Sequence, residues 1–166
     1  MQGSRGSQEG YAKLHELVDE IKVAMMTTVD DGIMRSRPLQ TLRFDADGAL
    51  WFFTSQSSPK VTEAQGEGWQ VNLSYAHPGK HHYVSISGRA ELTRDREQME
   101  RLWTKWVEVW FPKGLDDPDL ALLRVHMERA EYWDAPGSAM GRLYALTKAL
   151  STGDKSALGE NEKLGG

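Results

Sequence analysis

The sequence predicts a mainly β domain, a small barrel with helices at its margins. About six short strand-like runs are joined mostly by tight turns, and apolar residues alternate or cluster within each run. The connections are too short for a doubly wound sheet, which needs a helix between successive parallel strands. The 166 residues suffice for one hydrophobic core and are few for two. No internal repeat or low-complexity tract interrupts them.

Each element follows from its local pattern. Residues 1–9 are polar, lack the apolar stretch of a secretory leader, and read as a flexible tail. Glu9 to Lys22 reads as an amphipathic helix, with Tyr11, Leu14, Leu17, Val18 and Ile21 on one stripe and His15 on the polar side. Val23 to Val29 is a strand ended by the turn signal Asp30-Asp31-Gly32. Met34 to Phe44 and Ala49 to Thr54 read as partners in one hairpin around Asp45-Ala46-Asp47-Gly48. Pro59 to Gly66 is expected as a short helix, because proline suits a first helical turn whose N–H has no partner. Gln70 to Tyr75 is the next strand, and His77-Pro78-Gly79-Lys80 turns the chain into a longer one, His82 to Leu92, bulged at Gly88. Asp95 opens a second amphipathic helix on which Met99, Leu102, Trp103 and Trp106 share a core face. Leu122 to Trp133 closes the sheet and Met140 to Leu150 is helical. The domain thus spans residues 10–151, and residues 152–166 form a polar tail with little structure unless it docks on a neighbour.

Composition narrows the function. The net charge of −4 argues against a nucleic-acid surface, which needs a basic face to neutralise phosphates. No run approaches the ~20 apolar residues of a membrane span. Without cysteine there is no disulfide, thiolate nucleophile or thiolate metal ligand. A cytoplasmic setting follows as the default. There is no Gly-x-Gly-x-x-Gly fingerprint, Walker-type loop or hydrolase elbow. His77, His81 and His82 cluster at a turn, but no carboxylate stands at a ligand spacing in sequence, so a metal site is not expected. His126 reads as a packed or paired strand residue.

Two segments carry chemistry. In Trp51-Phe52-Phe53-Thr54-Ser55-Gln56-Ser57-Ser58-Pro59-Lys60 an aromatic strand runs into hydroxyls, a lysine and an expected helix start. Backbone N–H groups, a positive dipole end, hydroxyls and an ammonium together suit a phosphate. An ordinary serine cap beside a surface lysine gives the same pattern. The second segment, Arg35-Ser36-Arg37-Pro38-Leu39, puts two arginines on a strand that the hairpin would pair with the first segment. Pro38 cannot donate to a ladder, so it marks an edge or bulge where backbone groups stay open to a ligand. Paired arginines are also what a solvated strand face carries.

In their order and spacing these segments resemble the flavin mononucleotide (FMN)-binding split barrels of the pyridoxamine phosphate oxidase superfamily, in its general stress protein branch. Tyr83 to Ala90, Trp110 to Pro118 and Ala130 to Asp134 extend the likeness over nearly the whole chain. The resemblance implies that Thr54, Ser57, Ser58 and Lys60 grip the phosphate, with Arg35 or Arg37 adding charge. Ser36 to Leu39 would meet the edge of the flavin ring, and Phe53 belongs to the aromatic-Thr pair that ends the family's strand. It further implies a homodimer with the cofactor at the subunit interface and an aromatic from the second subunit against it. Trp110, where the second helix breaks before Pro112, is the candidate for that role, and Trp133 is second choice.

The chain departs from the true oxidases. Their late lysine on the arginine-bearing strand falls near Leu42, and their ribityl-binding glutamine near Tyr83. Their phosphate-site Arg-Lys pair reads Pro59-Lys60, and their Arg-Leu-x-Pro ending has no counterpart. Pyridoxamine phosphate oxidation is therefore not expected. Three classes stay open: a flavin-dependent oxidoreductase, a non-catalytic flavin-buffering or sensing stress protein, and a split barrel turned to a deazaflavin or haem.

Overall fold

A computed structural model describes residues 5–57, 68–135, 139–153 and 159–165. In chain order these form α1 (Arg5–Ile21), β1 (Val23–Asp30), β2 (Ile33–Gln40), β3 (Arg43–Phe44), β4 (Ala49–Ser55), β5 (Trp69–His77) and β6 (His82–Thr93). There follow α2 (Arg96–Leu102), α3 (Lys105–Trp110), β7 (Leu120–Asp134), α4 (Ala139–Thr152) and β8 (Glu160–Leu164). All pairings are antiparallel, in the order β2-β1-β5-β6-β7-β4-β3, with β8 added to β7. The mainly β architecture with marginal helices is as expected, with eight strands among the described residues where about six were expected. The helix expected over Pro59 to Gly66 lies outside the described residues.

The first hairpin corrects the expected pairing. Asp31 and Gly32 both take positive φ, 48° and 77°, the conformation of a two-residue turn whose twist matches that of its strands. That turn ladders β2 along the whole of β1, from Asp30↔Ile33 to Val23↔Gln40. The run Met34 to Phe44 is therefore not one strand. It bends at Thr41 and Leu42, where Thr41 N–H donates to Lys22 O and Leu42 N–H to Trp51 O. Only Arg43 and Phe44 then pair with β4. The arginines ride on β1, and β2 lies near β4 without a ladder between them.

β4 is apolar from Ala49 to Phe53 because both its faces are covered. Leu50 and Phe52 enter the barrel core with Leu14, Leu17 and Val18 of α1. Ala49, Trp51 and Phe53 enter a second core closed by Met99, Leu102 and Val107. The expected second helix divides in two: Trp103 is extended, and Thr104 caps a new helix by accepting from Val107 N–H. Restarting the helix turns Trp106 outward to 60% exposure, so its expected core role is corrected; Trp103 still packs edge-on against Phe53.

β7 bends midway. Ser87 faces Arg129 and Gly88 faces Met127, so Glu128 is an extra residue on β7 opposite the expected bulge. Before the bulge β7 pairs with β4, and after it with β8. Residues 160–164, placed in a little-structured tail by sequence, thus dock on the chain's own sheet, with Asn161 Nδ2 donating to Tyr132 O at 3.0 Å. His15 also differs from expectation, since its ring stacks on Phe44 at 3.7 Å between centroids. No helix among the described residues is long and apolar enough to cross a membrane.

The histidine turn serves to anchor α1. His82 stands between Glu20 and Asp134, each carboxylate 2.9 Å from one ring nitrogen, while Lys80 binds Glu20 and Lys13 binds Asp134. Among the described residues no group of three such side chains is arranged to hold a metal. The Lys80 ammonium, and then His82, hold the Glu20 carboxyl down at about 2. A carboxyl depressed in the folded state stabilises above its unfolded value near 4.5 and loses that contribution as pH falls towards 2. Urea midpoints of the parent and Glu20→Gln should therefore differ at pH 6, by about 1 kcal/mol or less for a surface pair. The gap should narrow as pH falls through about 2 and close below it, and a gap independent of pH would refute the anchor.

Candidate functional site

β2 is an edge strand, so one side of its backbone has no ladder partner among the described residues. Its side chains divide by register. Arg35, Arg37 and Leu39 lie opposite Thr28, Met26 and Ala24, whose side chains are buried, and so share the core side of the sheet. Ser36 and Pro38 lie opposite Thr27 and Met25 on the outer side, where Ser36 and Thr27 share a 2.6 Å hydroxyl hydrogen bond.

The two arginines are not equivalent. Arg35 is 60% exposed and its Nη1 lies 3.6 Å from Asp30 Oδ2. Arg37 is half-buried and donates from Nη2 to Thr28 Oγ1 at 2.7 Å, and among the described residues no carboxylate pairs with it. Among the described residues its charge is thus oriented by a neutral hydroxyl and meets no carboxylate.

β4 brings the aromatic segment that begins at Trp51 alongside. Thr54 shares the barrel side with Phe52 and is 3% exposed. Phe53 points the other way, between Trp103 and Phe111, so its ring is enclosed in the second core. Beyond β4, Asp119 draws the corner together. Ser57 N–H and Oγ–H donate to its two carboxylate oxygens at 2.7 and 2.8 Å, and Ser55 Oγ–H donates as well. Gln56 adds its N–H to Asp119 O at 2.7 Å and its Nε2 to Pro118 O at 3.0 Å. Hydrogen bonds from Ser55 and then Ser57 hold the Asp119 carboxyl below its usual range. Ser58 and Lys60 lie outside the described residues.

Two exposed tryptophans stand on α3. Trp110 ends α3 at 72% exposure, beside Val109 at 69%. Trp106, one turn earlier, donates from Nε1 to Gln40 Oε1 at 2.8 Å and so reaches the end of β2. Sequence reasoning missed Trp106, Thr28 and Asp119 as members of this neighbourhood. The Asp117-Pro118-Asp119 run was the available signal for Asp119, but its partners stand some 62 residues away.

Comparisons with known proteins bear on the family and the fold. A family model described as pyridoxamine 5′-phosphate oxidase-like matches residues 9–157. General stress protein 26 of Bacillus subtilis is 29% identical over 124 residues, covering 73% of this chain and 86% of that protein. The crystal structure of the general stress FMN/FAD-binding protein of Xanthomonas citri is 30% identical with a TM-score of 0.66, over 79% of this chain and 90% of that one. A structure from Jannaschia sp. CCS1, 22% identical, superposes with a TM-score of 0.78 over 96% of this chain and 99% of that one, a likeness of fold.

Proposed function

This chain belongs to the pyridoxamine 5′-phosphate oxidase-like family, and from that premise we propose that it is a flavin mononucleotide-binding general stress protein working as a homodimer. The observation that carries the reading is Arg37, an uncompensated guanidinium fixed by Thr28 on the core side of an open strand edge near β4. The donor set suits the cofactor. Arg37 and Lys60 supply charge for a phosphate, Thr54 and Ser58 supply hydroxyls, and the edge of β2 from Ser36 to Leu39 offers backbone groups to a flat heterocycle. Arg35, already tied to Asp30, contributes less. Flavin, when bound, supplies the redox chemistry, and the protein sets its orientation and access.

A second copy would cover the outer face of the sheet. Val23, Met25, Tyr83 and Trp133 stand 39–46% exposed there, and Tyr83 pairs directly with Trp133 across β6 and β7. Trp110 of one copy is the candidate to wall the flavin of the other. An oxidoreductase acting on a small oxidised substrate and a flavin-buffering protein share this site. Steady oxidation of reduced nicotinamide by the flavin-loaded protein separates the two.

Flavin titration followed by fluorescence quenching tests the proposal. The parent should show saturable FMN binding, and Lys60→Ala should weaken it about tenfold, the lower end of a charge-assisted hydrogen bond. Equal affinity in the variant removes Lys60 from the phosphate site. No binding by the parent moves the reading to a split barrel that holds a deazaflavin or haem.

A further inference from the structure

Ser57 stands among the expected phosphate ligands, yet both of its donors are already committed. Its N–H and its hydroxyl each donate to Asp119, whose second oxygen also takes the Ser55 hydroxyl. A phosphate oxygen needs donors, so Ser57 held in this way has none left to give. Asp119 is itself fixed, with its N–H donating to Asp117 Oδ1 at 2.9 Å, and β7 begins at the next residue, opposite the end of β4. One carboxylate thus ties the exit of β4 to the entry of β7. Gln56 reinforces the tie with two bonds to the backbone of Pro118 and Asp119.

We propose that Asp119 is a positioning residue: it holds the Ser55-Gln56-Ser57 corner at the exit of β4 in the shape that phosphate binding requires, and Ser57 acts through it and not on the phosphate. The inference rests on the flavin reading. It deepens that reading by dividing the site into a part that senses the phosphate and a part that senses the ring. The ring edge belongs to β2, which Asp119 does not touch. A fault in the corner should therefore be felt by ligands that carry a phosphate and not by those that lack one.

Asp119→Asn is the appropriate variant. It keeps the shape and one acceptor oxygen for Ser57 N–H, but replaces the oxygen that takes both hydroxyls by a donor. FMN and riboflavin, which lacks the phosphate, are titrated against the parent, Asp119→Asn, Ser57→Ala and the double variant. FMN affinity should fall about tenfold in each single variant, while riboflavin affinity stays within about twofold. Because the two residues act through one tie, the double variant should bind FMN no more weakly than Asp119→Asn alone. Equal losses for both ligands would mean a merely structural role and overturn the proposal. Unchanged FMN affinity, or fully additive losses, would overturn it too.

Amide exchange keeps the two readings separable. If the parent binds neither flavin, the flavin reading fails by itself, and exchange at Gln56 and Ser57 judges the clamp. Exchange about tenfold faster in Asp119→Asn supports the clamp, and unchanged exchange removes it.

Discussion

Gly88→Ala is expected to cost about 3 kcal/mol of stability, more than any exposed substitution in this chain. A β-carbon built at Gly88 meets the carbonyl oxygen of His126 at 2.1 Å and its carbon at 2.9 Å. Both atoms are backbone of β7, so no side chain can swing aside to make room. The close approach comes from the bulge, where the extra Glu128 brings the two strands together at Gly88 and Met127. At this point β7 leaves β4 and takes up β8, so opening the ladder loosens three pairings at once. For a domain of this size the loss corresponds to a melting temperature about 10 °C lower. Ser87→Ala, on the outer face, removes only a 3.2 Å hydrogen bond from Asn72 and serves as control, with an expected cost below about 1 kcal/mol. A Gly88→Ala protein with the parent's urea midpoint would show that the strands separate here without penalty.

Gly88 also illustrates what a sequence of this kind discloses. A glycine inside a strand pattern has few physical reasons to be there, and close backbone approach is one of them. Asp31-Gly32 is as legible, because two consecutive positive φ values need such residues. The aromatic run of β4 pointed to burial on both faces without naming what would cover them. Long-range choices were not legible. The run from Met34 to Phe44 has strand character throughout, and nothing local says that it changes partner at Thr41, where a buried hydroxyl bond to Tyr75 at 2.7 Å helps to fix the bend. Residues 160–164 look like a tail because their stabilising partner is another strand. Trp106 kept helical spacing with Met99 and Leu102, but the Thr104 cap restarted the helix and broke the phase. In the candidate site the strands and their arginines were readable. The difference between Arg35 and Arg37 was not, since it depends on which neighbour, Asp30 or Thr28, each meets across the hairpin.

That difference makes the second prediction. Arg37→Glu should weaken FMN binding about a hundredfold, whereas Arg35→Glu should stay within about threefold of the parent. The Arg35 charge is partly offset by Asp30 and lies largely in water, where an ion pair or a lone charge counts for little. Arg37 has no carboxylate partner among the described residues, and Thr28 aims it from a position only 1% exposed. Reversing its sign removes a charge-assisted contact of ~1.5–3 kcal/mol and adds repulsion towards an anionic ligand. The change also leaves the Thr28 hydroxyl without its donor, so stability has to be measured beside affinity. Thr28→Val separates the effects, since it keeps the guanidinium and removes only the hydroxyl that orients it. FMN affinity in that variant should fall about fivefold, between the parent and Arg37→Glu, with the loss confined to ligands bearing a phosphate. Should Arg35→Glu prove the more damaging reversal, the anion lies nearer the β1–β2 turn, and the inward face of β2 is not where the phosphate binds.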